Sequence, residues 1–552
     1  MSQALAGLMQ DDFPLTLQHI RRRLRRASPQ AQVITHTEPG SVRRASFAEV
    51  SERVDRLARV LERLDVQQGD RVGTFAWNNQ RHFELYFAVP CVGAVLHTLN
   101  IRLFDEQITY IVNHAEDKVI FVDDSLVPLL GRLAPGFDSV AQFVVMGDGG
   151  AAAAEIEQLP GALDYEQLLA EAGAGEHDYP ELDERQAAAL CYTSGTTGNP
   201  KGVLYSHRSI SLHSTATLIK DGVGLGRGER VLAVVPMFHV NAWGLPYGAT
   251  LAGADLILPD RFLGAEPLAQ LIAAERPTLM GCVPTIFGEL LRYADEHPEV
   301  DLSSLSNAAC GGSAVPRQLM KDFQERHGVR IFQAWGMTET SPVATYSRPG
   351  EGEHGDDYWD DRAKQGQALP WVELRLSDAE GKELAWDGVA SGEIQIRGPW
   401  VASRYFADDS EDHKFASGWL RTGDIAAIDE RGFVRITDRS KDVIKSGGEW
   451  ISSVDLENEV MAHPDVLEAA VIAKPDERWA ERPLCCVVLR EGSNAGTEEL
   501  REHLRGRVAK WWLPDEFAFV AEIPKTSVGK FDKKALRASL SEGTLEGRAE
   551  AS

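Results

Sequence analysis

Long apolar runs are missing from this chain: nowhere in its 552 residues does a stretch approach the ~18 apolar residues that a bilayer-spanning helix needs. The first residues, MSQALAGLMQDD, lack the basic segment and apolar core of a secretory signal, so the cytoplasm is the expected location. Cysteine is scarce. Its six positions (91, 191, 282, 310, 485 and 486) form neither a paired framework nor a Cys-x-x-Cys spacing, which argues against a disulfide scaffold and a zinc module. Net positive charge is missing as well. A formal charge of -26 argues against nucleic acid as the main partner, because that role needs a basic face. If the ligand is an anion, positive charge has to be gathered locally. The one basic cluster, HIRRRLRRAS near residue 20, reads as the solvated face of an N-terminal helix, with contact to anionic lipid as the alternative.

What is present is a globular composition, 43% apolar and 25% charged, in a chain long enough for several folding units. Short β-branched runs (KVIFVDD, RVLAVVP, ADLILPD, VRIFQAWG) alternate with helical patterns (PLAQLIAAERP, PRQLMKDFQERHG). That alternation implies βαβ units and parallel sheets, whose strand ends and following loops are the usual ligand sites. Two stretches read as exposed loops: GDGGAAAAEIEQLPG near residue 150 and the acidic RPGEGEHGDDYWDD near 355. After about residue 440 the pattern changes to a compact α+β tail ending in IPKTSVGKFDKKAL.

The densest chemistry lies in YTSGTTGNPKG, from Tyr192 to Gly202, directly after the expected strand AAALC. It is not the common Gly-x4-Gly-Lys-Ser/Thr phosphate loop. Yet glycines such as Gly195 and Gly198 let the backbone approach an anion and turn its N–H groups inward. Thr193, Ser194, Thr196 and Thr197 add hydroxyl donors, and Lys201 adds a charge. The segment reads as an anion-binding loop.

Four further clusters follow it: QAWGMTETSP, GWLRTGDIA, DRSKDVIKSGGEWISSVDLE and PKTSVGK. Together, in this order, the five motifs resemble the signature of the adenylate-forming enzymes, the superfamily of acyl-CoA synthetases, luciferases and peptide-synthetase adenylation domains. AVLHTLNIRLFDEQITYIVNHAEDKVIFVD, VVPMFHVNAWGLPY and IKSGGEWISSVDLEN are similar, more narrowly, to bacterial medium- and long-chain fatty acyl-CoA synthetases. One departure is Trp335, where the superfamily often has Tyr; either ring can stack on adenine.

The resemblance implies an α/β fold: a large N-terminal domain of βαβ-type sheets with a β-rich part (1–437), a hinge (438–442), and a small mobile α+β domain (443–552). It implies two half-reactions, in which AMP is transferred from ATP to a carboxylate with loss of pyrophosphate, and the CoA thiol then displaces AMP. The loop from Tyr192 to Gly202 would hold the β- and γ-phosphates, Gly336 and Thr338 would also contact the nucleotide, and Thr193 and Glu339 would hold Mg²⁺, a hard cation that bridges phosphates. Asp424 would accept hydrogen bonds from the ribose, while Gly312, Gln333, Ala334 and Trp335 would lie along the adenine and the acyl-adenylate. From the second domain, Lys441, Lys445 and Trp450 would reach the nucleotide, and Arg439 its ribose or phosphate. Lys530 would stabilise the charge that develops on the transferred phosphoryl group. His239, Val240 and Trp243, with Gly312, would sit where the carboxylate and alkyl chain enter, and Ser446, Gly447 and Gly448 would line the path of CoA. A homodimer is also implied. Other readings are a ligase of the same fold for a short or thioether acid, transfer of the acyl group to a carrier protein, a luciferase-like oxygenase, and a silent nucleotide-binding protein.

Overall fold

The computed structural model describes the chain from residue 7 to residue 551, apart from 149–158, 160, 194–198, 350–354, 379, 409–412, 440–441, 443, 447–448, 477, 526–530 and 546–547; side chains are not described at 416, 449–450 and 548–551.

Two large sheets form the bulk of the protein. In the first, seven strands run in the order Leu163–Asp164, Gln142–Met146, Asp117–Asp123, Arg71–Phe75, Val95–Thr98, Ala187–Tyr192 and Gly202–Ser206. All neighbours are parallel except the last pair. The second has nine strands, with a parallel centre from Gln32–Glu38 through Asp255–Leu258, Arg230–Ala233, Leu279–Cys282 and Asn307–Gly311 to Arg330–Gly336, and antiparallel strands at both edges. The expected strands therefore occur where β-branched runs lie. Their near-continuous apolar character reflects burial on both faces, as parallel sheets covered by helices require. The expected helices span Ala265–Glu275 and Arg317–His327.

A β-rich part follows, a four-stranded antiparallel sheet of Glu373–Ser377, Gly392–Arg397, Leu420–Ile428 and Val434–Arg439. A separate sheet is built entirely from the C-terminal region, beginning with the hairpin of Ile444–Ser446 and Glu449–Ile451 and centred on Ala480–Leu489. The apolar clusters respect this division. Those of the large domain end at Ile436, and those of the small domain begin at Ile444.

Two expectations need correction. The acidic stretch near 355 is not wholly a loop, since Asp356–Ala363 is helical. Its aromatic residues explain why: the Arg362 guanidinium lies 4.8 Å from the Trp359 ring, 5.2 Å from Tyr358 and 5.2 Å from Phe332 of the neighbouring strand. The basic N-terminal cluster is not a uniformly solvated face either. It forms the helix Leu17–Arg26, in which Arg21 is buried, pairs with Asp55 at 3.0 Å and stacks on Tyr179. Most of the stretch near 150 lies outside the described residues. All six cysteines are free and buried, and no described helix is long and apolar enough to cross a membrane.

Candidate active site

The glycine-rich loop leaves the strand Ala187–Tyr192 and returns along Gly202–Ser206. Two hydrogen bonds close its neck: Thr193 N–H donates to Lys201 O at 2.9 Å, and Lys201 N–H donates to Thr193 Oγ1 at 3.1 Å. Residues 194–198, with Ser194, Gly195, Thr196, Thr197 and Gly198, lie outside the described residues. The strand end is braced from below. Tyr192 shares a 2.6 Å hydrogen bond with His114 Nδ1, and its ring lies over His97, which is paired with buried Asp117 at 2.8 Å.

The turn that carries the candidate acyl residues meets the same strand end. Cys191 Sγ–H donates to Asn241 Oδ1 at 3.4 Å. Val240, Asn241, Ala242 and Trp243 all have φ between +47° and +57°, a left-handed turn completed by Gly244 at +74°. Four consecutive non-glycine residues in this region are costly, and the conformation persists because tight packing over-determines it. His213 Nδ1 stands 2.8 Å from where a Cβ of Gly244 would be, so only glycine fits at the end of the turn. Trp243 in turn lies over Gly311, 3.4 Å from where a Cβ would project. His239 is half-buried at the start of the turn.

Glu339 lies in the short helical segment Thr338–Thr340, which Tyr205 of the returning strand anchors by donating to Thr338 O at 2.6 Å. Its carboxylate is buried and engaged. Oε1 accepts from the Tyr405 hydroxyl at 2.5 Å and from Lys414 Nζ at 2.6 Å. Lys201 is 3.3 Å from Asp408 and 4.6 Å from the centre of the Tyr405 ring. Neither Tyr405 nor Lys414 stood out in the sequence; the only signal was an aromatic and a lysine in a segment, RYFADDSEDHK, that matches no motif. Thr193 and Glu339 together offer one hydroxyl and one carboxylate oxygen. Such a hard, oxygen-only set fits Mg²⁺, which is held by one or two carboxylates plus substrate phosphates rather than by an all-protein cage. No group of three or more acidic, histidine or cysteine side chains suited to a metal occurs among the described residues.

A cleft of about 1100 Å³ opens between the domains, with Gly312, Gln333, Ala334, Trp335, Gly336, Asp424 and Arg439 on its wall. Asp424 and Arg439 are direct partners across adjacent strands and form a 2.9 Å ion pair. The Asp424 charge, ahead of the opposing effect of burial, holds the Arg439 guanidinium above its usual range. The other Asp424 oxygen accepts from the Trp335 indole N–H at 2.9 Å. The Gln333 amide is spent on backbone. Its oxygen accepts from Val315 N–H at 2.6 Å and its nitrogen donates to Ala363 O and Lys364 O, so it braces the Gly312 loop from behind the wall. Gly336 admits no side chain, since a Cβ would stand 1.8 Å from Pro342 O.

From the small domain the cleft is lined by Lys525 and Phe531, which flank the segment carrying Lys530, and by Lys533. Lys530 itself, like Lys441, Gly447 and Gly448, lies outside the described residues, as does the side chain of Trp450. Lys445 and Ser446 are not brought to the nucleotide wall. They belong to the hairpin strand Ile444–Ser446, where Lys445 N–H donates to Glu481 Oε2 at 2.7 Å. Thr193, Lys201, Glu339, His239 and Trp243 cluster instead at the strand end beyond the cleft lining.

The chain is similar to known proteins along most of its length. Residues 21–406 match the AMP-binding enzyme family and residues 455–530 its C-terminal domain. The chain is 42% identical to the 3-methylmercaptopropionyl-CoA ligase of Ruegeria lacuscaerulensis, over 95% of this chain and 97% of that protein. It is 47% identical to the long-chain-fatty-acid–CoA ligase of Thermus thermophilus and 43% identical to the medium-chain-fatty-acid–CoA ligase of Ectopseudomonas oleovorans, each over 92% of both chains. Among solved structures, the anthranilate CoA ligase AuaEII in complex with anthranoyl-AMP superposes with a TM-score of 0.86 at 25% identity, covering 97% of this chain and 99% of that one. With residues 21–406 and 455–530 matching its two parts in order, the chain belongs to the AMP-binding enzyme family, within the adenylate-forming superfamily that its motifs resemble.

Proposed function

We propose that this protein is an ATP-dependent ligase that joins an aliphatic carboxylic acid to CoA through an acyl-adenylate. The observation that carries the reading is the meeting of two candidate sites at one strand end: Cys191, two residues before the phosphate-loop neck, is bonded to Asn241 of the acyl turn. A carboxylate entering beside His239 and Trp243 then lies next to the phosphate site, with the ribose carboxylate Asp424 across the wall.

The chemistry follows from the groups present. A carboxylate resists nucleophilic attack because its leaving group would be oxide, and adenylation supplies a better one. Bound Mg²⁺ would neutralise phosphate charge and align the oxygens being displaced. Thr193 and Glu339 would hold it. Asp424 would fix the ribose, the Trp335 ring would cover the adenine, and Lys530 would meet the charge that develops on the transferred phosphoryl group. In the first step a carboxylate oxygen attacks the α-phosphorus and pyrophosphate leaves; in the second the CoA sulfur attacks the acyl carbon of the adenylate, AMP leaves, and the thiol proton passes to solvent.

For the acid, the reading is a medium- or long-chain fatty acid, supported by the two fatty-acid ligases among the relatives. The seat of Trp243 favours a second reading. The indole packs over Gly311, and a ring seated there would suit a short acid, such as the thioether acid named in another relative, if it bounds the acyl space. Pyrophosphate release across straight-chain acids from butanoate to hexadecanoate, alongside 3-methylmercaptopropionate, separates the two. Pairing each acid with CoA and then with an acyl carrier protein tests the acceptor. No release with any acid would refute the ligase reading.

A further inference from the structure

Gln365 belongs to none of the motifs, yet it lines the cleft together with Trp335, Asp424 and Ile436. Its backbone is fixed there from several sides. The Gln365 N–H donates to Val434 O at 2.8 Å, and its carbonyl accepts from the Thr345 hydroxyl at 2.5 Å. Thr345 is the direct cross-strand partner of Trp335, so Gln365 lies one strand over from the ring proposed to cover the adenine. On the preceding residue, Lys364 O accepts from the Gln333 amide at 2.9 Å. On the following one, a Cβ at Gly366 would stand 2.1 Å from the Tyr346 carbonyl, so the chain is pressed against that strand.

The side-chain amide has a fixed polarity. Oε1 accepts from Ile436 N–H at 2.6 Å, and a backbone N–H can meet only the oxygen end of an amide. Nε2 is therefore the free end, and no described residue accepts a hydrogen bond from it. Gln333, on the same wall, spends both of its ends on backbone; Gln365 spends one. The residue is only 7% exposed, and an amide N–H with so little access to water is costly to leave without an acceptor. We propose that Gln365 reads the base: its Nε2–H donates to a ring nitrogen of the adenine stacked on Trp335. Stacking alone tolerates any base, because every base has a π face, whereas a held donor selects a base with an acceptor at one position. Adenine offers such acceptors at N1, N3 and N7.

The inference rests on the ligase reading but is tested apart from turnover. Calorimetric titrations without any acid compare wild type, Gln365→Glu and Gln365→Met. The probes are Mg·ATP, its 1-deaza, 3-deaza and 7-deaza analogues, and Mg·pyrophosphate. Glu keeps an oxygen for Ile436 N–H and removes only the donor, so a purely structural role survives in it; Met removes both ends and adds no charge. Each variant should bind Mg·ATP about 3- to 10-fold more weakly, the loss of one neutral hydrogen bond. Mg·pyrophosphate, which has no base, should bind as in wild type, and this also shows that the variants are folded. One deaza analogue should bind wild type more weakly than Mg·ATP by a similar factor and lose nothing further in Gln365→Met, because its contact is already absent. Loss in Gln365→Met but not in Gln365→Glu would make Gln365 a structural tie to Ile436. Unchanged Mg·ATP affinity, equal weakening of Mg·pyrophosphate, or equal losses for all three analogues would likewise overturn the proposal. Pyrophosphate release by wild type with ATP and an acid reports separately on the ligase reading.

Discussion

Replacing Trp335 with Phe isolates the contact that distinguishes this nucleotide wall. The ring remains for stacking, but the indole N–H that Asp424 accepts at 2.9 Å is lost. Asp424 is only 3% exposed, and its other oxygen is held by Arg439 at 2.9 Å. Removing one donor leaves the carboxylate pulled from one side, and it should rotate toward Arg439, away from the orientation that two ribose hydroxyls require. A hydrogen bond to a charged group contributes about 1.5–3 kcal/mol in a dry site. Here the residue borders an open cleft of about 1100 Å³, so water can replace part of the loss, and the lower end applies. About 1.4 kcal/mol corresponds to a tenfold weaker complex.

Direct titration provides the assay. Trp335→Phe should bind ATP about tenfold more weakly while Mg·pyrophosphate, which has no ribose, binds as before. Wild type should also prefer ATP to 2′,3′-dideoxy-ATP, and that preference should shrink in the variant. If ATP affinity is unchanged, or if pyrophosphate weakens equally, the Trp335–Asp424 bond does not serve ribose recognition.

Trp243→Ala should extend the range of acids, with affinity rising about fourfold for each added methylene until the enlarged space is full, from roughly 0.8 kcal/mol per buried CH₂; an unchanged chain-length profile of KM would show that Trp243 does not close the acyl space. Burial pushes the His213 imidazole down from 6.5 to about 3, so the folded protein refuses a proton that the unfolded chain accepts. The folded value is the lower one, so stability is full above about pH 6.5 and falls as pH drops toward the folded value, by about 1.4 kcal/mol per pH unit. His213→Gln, which keeps an acceptor for Val343 N–H, should flatten the denaturation midpoint against pH in that window, and an unaltered slope would refute the assignment. Lys530→Ala should abolish acyl-adenylate formation yet leave thioester formation from supplied acyl-AMP nearly intact, whereas Lys441→Pro should do the reverse; equal slowing of both half-reactions by Lys530→Ala would exclude alternation of the small domain.

Much of this was legible in the sequence, for physical reasons that differ from element to element. Strands such as Asp117–Asp123 and Arg330–Gly336 are readable because burial on both faces demands uninterrupted apolar residues. Thr193, Glu339 and Asp424 stand out as candidates because each lies in an ordered motif. Lys414 and Tyr405 are not, because their meaning comes from long-range contact with Glu339, 75 and 66 residues away along the chain. Gln333 carried a legible position but an illegible task, since its partners are backbone atoms near 315 and 364. The left-handed turn Val240–Trp243 runs against local preference: a β-branched valine and a tryptophan disfavour positive φ, and tertiary packing overrides them. The helix Asp356–Ala363 was hidden by its acidic composition, and its aromatic contacts lie in other elements.

How the small domain meets the large one bears on why two domains are needed. The described contacts between the last strand of the large domain, Val434–Arg439, and the first helix of the small one, Ser453–Met461, are polar and concentrated in that helix's first turn. Asp438 accepts from Ser453 N–H at 2.9 Å and from its hydroxyl at 2.5 Å, Ser452 Oγ–H donates to Thr437 O, and Arg435 lies 3.5 Å from Asp455. Burial raises the Asp438 carboxyl above its usual range, and nearby Lys533 opposes that rise. Lys533 and Arg537, one turn apart on the helix Lys533–Glu542, pair with Glu457 and Asp442 at 2.7 Å, contacts made beyond residues 440–441 that would travel with the small domain. No described apolar cluster includes residues from both sides of 440–443. A rotation there would therefore exchange a handful of hydrogen bonds for water without exposing a core, and polar contacts of this kind contribute only about 1 kcal/mol each, net. In the present arrangement Lys525, Phe531 and Lys533 line the same cleft as Trp335 and Asp424, whereas Lys445 and Ser446 lie on a hairpin outside that lining. Apolar clusters confined to one domain or the other, with a polar seam between, would suit a small domain that presented one face for the phosphoryl step and another for the thiol.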